Sequence, residues 1–364
     1  MPLPLIIGAA ALAAAGFGVK KGYDGHQKHS EADDIVKLAK ETYDGQRQIF
    51  DKQEKNTQSA LEQLGTLELE IGHSFSEFKA LADSLIKQIN AGTQDKLKIT
   101  FPKRDLQKIE TYSYSAVGVL GSIAGAGVAG AAAGFAVYGG VMALGAASTG
   151  TAISSLAGAA ATNATLAALG GGSLAAGGLG VAGGTAILGA AVAGPVLAIA
   201  GWAYDSHGEE ALKNARKVSS EVEAAVAKLK LAGRHLGRTE RYAEKLRWTI
   251  GSTYAQFQRY FQDLKDVGIF IESIRGRGVD EDREMEKLGP RVLEIVENGY
   301  ALAAILTNII TTPLFKLNET SGQTAVDENG VPQLAKDKNG FTVLNEEKID
   351  EAIDTAKQQS AQFS

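Results

Sequence analysis

The sequence contains no cysteine. A disulfide framework, a thiol nucleophile and a Cys-ligated metal are therefore excluded. Proline is scarce, at 7 residues, and aromatics make up 7% of the chain. Few helix breakers together with long polar–apolar periodicity point to an all-α protein. An excess of positive charge is also missing. The formal net charge is −5, which argues against a nucleic-acid binder held mainly by phosphate contacts. The most informative absence is local. From Thr111 to Tyr204 there is no Asp, Glu, Lys, Arg or His.

That stretch is made almost wholly of Gly, Ala, Val, Leu, Ile, Ser and Thr. It far exceeds the roughly 20 apolar residues that cross a bilayer core. Two pieces are long enough to span about 30 Å of hydrocarbon at about 1.5 Å per residue. The first runs from about Val117 to Leu144, the second from about Val181 to Tyr204 with Pro195 inside it. Between them the sequence is dotted with Ser and Thr, and Gly170-Gly171-Gly172 and Gly177-Gly178 read as breaks. The pattern predicts a helical hairpin whose turn region holds one short helix, Ala152 to Leu169. A buried Ala/Gly hairpin inside a soluble helical bundle would carry the same pattern, and so would a membrane-inserting protein before insertion.

The glycines of this stretch are spaced for helix contact. Gly121/Gly125, Gly130/Gly134 and Gly180/Gly184 are small-xxx-small pairs that put two glycines on one helix face, so backbones can approach closely where lipid offers no hydrophobic drive. In water each such glycine costs a helix about 1 kcal/mol against Ala.

Basic residues flank the apolar segments. Pro2 to Val19 is apolar and is followed by Lys20 and Lys21, with no Lys or Arg before it. This charge order fits an anchor or a membrane-entering helix with Lys20 and Lys21 in the cytoplasm better than a cleaved signal, although a cleaved signal is the other reading. Lys103, Arg104 and Lys108 precede the charge-free stretch, and Lys213, Arg216 and Lys217 follow it. A hairpin returns to the side it left, so both flanks predict the same cytoplasmic side.

On either side lie long helical patterns. Ser30 with Glu31, Asp33 and Asp34 predicts a helix start, and the pattern continues to about Asn90. Leu61, Leu64, Ile71, Phe75, Phe78, Ala82, Leu85 and Ile89 form a bundle seam with one gap at Glu68. Gly45, Gly65 and Gly72 read as bends. His26 and His29 have no ligand partners in register and read as a solvated linker rather than a metal pair. Pro102 breaks the helix. Glu209 to about Ile274 is a second long helix with a heptad rhythm from Val218 to Ile271, interrupted at Thr239 and at Thr253/Tyr254. It is expected to pack antiparallel to the first, because a hairpin would bring the chain back. Glu281 to about Thr312 predicts a third helix, its uncharged end buried in a bundle. Asp327-Glu-Asn-Gly330 and Asp337-Lys-Asn-Gly340 read as turns, the second before a strand-like Phe341 to Leu344. A final short helix runs from Asn345 to Gln359, in what is either a partner-binding piece or a loose end.

Enzymatic motifs are missing. Gly125 to Gly130 and Gly178 to Gly183 match G-x-G-x-x-G, but no acid follows until Asp205 and no βαβ context surrounds them. There is no G-x-x-x-x-G-K-[ST], no H-E-x-x-H and no nucleophile elbow. The sequence therefore predicts no enzyme, no cofactor, no metal and no small-molecule substrate.

At 364 residues the chain has room for two or three average domains. The expected layout is an apolar membrane helix at 1–22, a long amphipathic helix region at 23–110, the Gly/Ala hairpin at 111–204, the heptad helix and third helix at 205–315, and a polar tail at 316–364. The fold class expected is all-α: an elongated antiparallel bundle or coiled coil carrying a Gly/Ala-rich membrane-inserting hairpin. This plan resembles the α-helical pore-forming toxins of the cytolysin A and haemolysin BL type, and its hairpin is similar to the membrane-inserting regions of apolipoprotein L and of pore-forming colicins. The resemblance is one of architecture and transfers no residue. It implies a form that buries the hairpin, then oligomerises and inserts. The expected function is a membrane-inserting, pore-forming or permeabilising protein, bacterial, at the inner membrane with its bundle on the cytoplasmic side and a soluble form before insertion. Its expected partners are a lipid bilayer and further copies of itself, with no nucleic acid. The alternatives are a constitutively anchored coiled-coil scaffold without pore activity, and a soluble bundle whose hairpin never leaves the core.

Overall fold

A computed structural model of the chain describes residues 23–92, 96–123, 132–137, 208–274, 281–320, 323–325, 333–339 and 341–363. They are mostly helical, consistent with an all-α fold. Helix α1 is Tyr23–Gly92, α2 is Lys103–Ile123, α3 is Gly208–Ile274 and α4 is Glu281–Ile310; a two-residue hairpin, β1 (Glu319–Thr320) and β2 (Gln323–Thr324), precedes α5 at Glu346–Ser360. Neither α1 nor α3 contains a proline, so nothing interrupts their backbone ladders. Helix α1 begins seven residues before the expected Ser30 start. It also runs unbroken through Gly45, Gly65 and Gly72, so none of these glycines ends or divides it.

Among the described residues, those up to Asn56 and from Gly208 to Arg238 belong to one unit, and those from Thr57 to Val137 with those from Thr239 on to another. In the first, the described turns of α1 and α3 bury Ala39, Tyr43 and Phe50 together with Val222, Leu229, Ala232 and Leu236. Ala32 packs on Ala211 and Ala215, and the Gln53 amide lies against Gly237. Residue numbers rise together along both helices, so α1 and α3 run parallel here.

The second unit has the larger core. Phe75, Phe78, Phe257, Phe261 and Tyr300 interlock, with ring centroids 5.3 Å apart for Phe75–Phe257, 5.2 Å for Phe78–Phe257 and 5.4 Å for Phe78–Tyr300. These separations suit edge-to-face and tilted aromatic pairs. Leu67 meets Gly251, and Leu81 and Leu85 meet Gly268, so α1 and α3 are parallel in this unit too. The expected antiparallel pairing of the two long helices is thus corrected. The reason is α2, which already carries the chain back along α1: Glu110 lies 3.6 Å from Lys79, while Tyr112 bonds the Glu68 carbonyl. Helix α4 also opposes α1, with Gly289 beside Ile89 and Gly299 beside Phe78. The α1 seam is buried as expected from Leu64 to Ile89. On α3 the apparent interruptions Thr239, Thr253 and Tyr254 are buried as well, so the seam continues through them. The Thr253 hydroxyl donates to the Thr249 carbonyl one turn back, which lets a polar side chain occupy an apolar position.

Between α1 and α2, Asn90 closes the connection by accepting from the Leu97 amide at 2.6 Å and donating to the Leu97 carbonyl at 3.1 Å. The Pro102 carbonyl then receives the first amides of α2. One described helix is long and apolar enough to cross a membrane by length and composition: residues Arg283–Ile310 of α4, with mean hydropathy 1.3 and a window 61% buried against the rest of the chain. Its uncharged end packs inside, with Leu302, Leu306 and Ile309 buried.

The C-terminal residues are anchored rather than loose. Three extended runs pair with one another through the bridges Phe315–Leu344, Leu317–Leu334 and Lys336–Thr342. The turn expected at Asp337 is present: its carboxylate accepts from the Asn339 amide at 2.8 Å and from the Phe341 amide at 2.9 Å. Helix α5 then buries Ile349, Ile353 and Ala356, and Asp350 meets Lys245 of α3 at 2.6 Å. The turn expected at Asp327 to Gly330 lies outside the described residues.

Candidate functional site: the clasp between α1 and α2

The charge-free stretch begins inside α2, at Thr111, and the first described turns of it rest on α1. Three residues of α1, Gly65, Glu68 and Gly72, receive it. Spaced at i, i+3 and i+7, they share one helix face. At Gly72 a Cβ would overlap the Cβ of Ala116 and stand 3.3 Å from the Tyr112 ring. At Gly65 a Cβ would overlap the carbonyl of Ala132 and stand 3.1 Å from the Ala136 amide nitrogen. At both glycines another segment therefore closes on the α1 backbone, with its own backbone at Gly65 and with side chains at Gly72, a use of glycine that any side chain would block.

Two hydroxyls fasten α2 in register. Tyr112 Oη donates to the Glu68 carbonyl at 2.7 Å, and Ser113 Oγ donates to the Gly72 carbonyl at 2.7 Å; both bonds are buried. Tyr112 also packs edge-on to Phe75 at 6.3 Å and against Phe135 at 6.1 Å. In the helical segment 132–137, Ala132, Ala133, Gly134, Phe135 and Val137 are buried. The Glu68 side chain is buried in the same place, at 3% exposure. Burial pushes its carboxyl well above the ordinary carboxylate range, because the low dielectric disfavours the charged form.

Helix α2 is two-faced. Ile109, Tyr112, Ser113 and Ala116 are buried, whereas Tyr114 is 60% exposed and Val117 37%. Around Gly118 and Gly121 no atom of the described residues lies within 4 Å of a Cβ position. From Thr111 on, the outer face is apolar and uncharged, and among the described residues nothing covers it, which is unusual for a surface helix.

Of the glycines singled out by spacing, Gly121 lies on this open face and Gly134 is buried in segment 132–137. Gly125, Gly130, Gly180 and Gly184 lie outside the described residues, as do Lys20 and Lys21, the second apolar piece and the expected turn-region helix. Lys103 and Arg104 are exposed at the start of α2, and Lys108 donates to Asn308 at 3.4 Å. The receiving residues on α1 were visible in the sequence only as bends and a seam gap. Their common signal is the shared helix face.

No protein-family model, curated protein or solved structure matches the chain.

Proposed function

We propose that the protein is a membrane-inserting, pore-forming or membrane-permeabilising helical protein that keeps the start of its apolar stretch clasped on α1 and releases it into a bilayer. The observation that carries this reading is the charge-free run from Thr111 to Tyr204. The run holds two pieces long enough to cross a bilayer core, where an ionisable group is costly. The open apolar face of α2, with Tyr114, Val117, Gly118 and Gly121, supports it. The similarity of plan to helical pore-forming toxins points the same way. Assembly proceeds between copies through the glycine faces Gly121/Gly125 and Gly130/Gly134, and the basic groups Lys20, Lys21, Lys103, Arg104 and Lys108 mark the cytoplasmic side of the bacterial inner membrane.

The test is dye release from loaded liposomes, followed by an alkaline carbonate wash of the pelleted vesicles. Release with wash-resistant binding is the expected result, and Gly125→Ile is expected to abolish release while leaving the helical content intact. Resistant binding without release would replace the pore by an anchored scaffold. Neither binding nor release would make the charge-free run a permanent core and overturn the reading.

A further inference from the structure

We propose that Glu68 is the release element of the clasp: a carboxyl built into the apolar seam of α1, one turn from Gly65 and from Gly72, whose ionisation lets α2 come away from α1. The seam is otherwise apolar, with Leu64, Ile71, Phe75 and Phe78 fully buried around this position. A carboxyl there weakens packing unless it stays neutral. Its own backbone carbonyl is the acceptor for Tyr112, so a displacement of α2 that wets the side chain also breaks the bond that fastens α2.

Among the described residues, no charge on the neighbouring elements offsets the burial. From α2 the ionisable group facing Glu68 is Tyr112. Segment 132–137 carries none, and neither do the last turns of α4, 305–310. On α3, Tyr254 is engaged with Ser74 at 2.7 Å and approaches Glu70 at 3.4 Å, Lys245 is paired with Asp350, and Arg247 is exposed. Burial is accordingly the cause of the raised Glu68 value.

A carboxyl raised in the docked state is fully accommodated below its ordinary value of 4.5. Docking then weakens as pH rises from there through the raised value, because the undocked form gives up its proton first. The clasp is tightest below that ordinary value and loosens as pH rises above it. Its consequence for insertion rests on the membrane reading above; the loosening itself does not.

Hydrogen exchange of the α2 amides, corrected for the intrinsic pH dependence, reads the opening without a membrane. In the wild-type full chain, the opening constant of residues 111–123 should rise by up to about tenfold per pH unit within the window, the slope of a single proton. Glu68→Gln keeps the shape and removes the proton, and should flatten the profile. Glu68→Leu should flatten it too and strengthen protection at pH 8. A wild-type profile without slope, or an unchanged slope in both variants, would overturn the proposal. Dye release measured in parallel separates the two ideas. A slope that vanishes in the variants with no release from any protein leaves the latch standing and removes the pore. Release with a slope indifferent to Glu68 does the reverse.

Discussion

Substituting Gly72 by alanine tests whether α2 sits on α1 as closely as the structure places it. In an exposed helix interior the change should stabilise, since Ala is better than Gly by about 1 kcal/mol. Here the added methyl overlaps the Cβ of Ala116, at a separation below the 3.0 Å that real Cβ atoms keep. The neighbour is on helix α2 and is not the end of a flexible side chain, so the helix itself must move. Such overpacking costs about 1–3 kcal/mol. A shift of α2 also stretches the Ser113 and Tyr112 bonds, both 2.7 Å, each contributing about 1 kcal/mol net. Subtracting the propensity gain, Gly72→Ala should destabilise the docked α2 by about 2–4 kcal/mol. Ala116→Gly in the same chain reopens the space, so a double-mutant cycle should show a favourable coupling of about 1–3 kcal/mol. Gly118→Ala is the internal control: it lies on α2 with nothing among the described residues within 4 Å and should stabilise by about 1 kcal/mol. Urea unfolding supplies the energies, and exchange of residues 111–123 locates them. If Gly72→Ala gains stability as Gly118→Ala does, and the cycle shows no coupling, the close approach is refuted.

Two other substitutions probe the rest of the second unit. Gly299 holds the Phe78 ring so closely that a Cβ would stand 2.8 Å from Cε2; Gly299→Ala should lower stability by about 1–3 kcal/mol, and Phe78→Leu alongside it should recover part of the loss in thermal unfolding. Asp337→Ala removes the acceptor of two backbone amides and should cost about 1–2 kcal/mol, seen as faster exchange at residues 341–344 with α2 exchange unchanged.

How much of this could be read from the chain differs by level. Leu64, Ile71, Phe75 and Phe78, and their counterparts Phe257 and Phe261, occupy seam positions that periodicity alone picks out, because burying one helix face needs a repeat near 3.6 residues. The turn at Asp337 was legible for a local reason, a short side chain that caps its own turn, whereas the break expected at Pro102 falls earlier: α1 already ends at Gly92 and Pro102 directly precedes α2. The buried threonines of α3 misled, since composition does not reveal that a hydroxyl can bond one turn back and join the core.

The sequence by itself determined an all-α chain, the course of α1, α3 and α4, and the charge-free run that begins within α2. Local propensity, helix period and the absence of ionisable groups are properties of consecutive residues, and they need no partner. Only the tertiary structure decided that α1 and α3 run parallel, because a heptad seam buries the same face whichever way its partner points. It also decided that Gly65 is a seat for the backbone at Ala132 and Gly72 a seat for the Ala116 methyl and the Tyr112 ring, rather than bends, and that the Glu68 gap is a buried carboxyl under Tyr112. Those facts depend on which surface arrives from a distant part of the chain, and close approach leaves no mark on the sequence except the missing side chain that permits it.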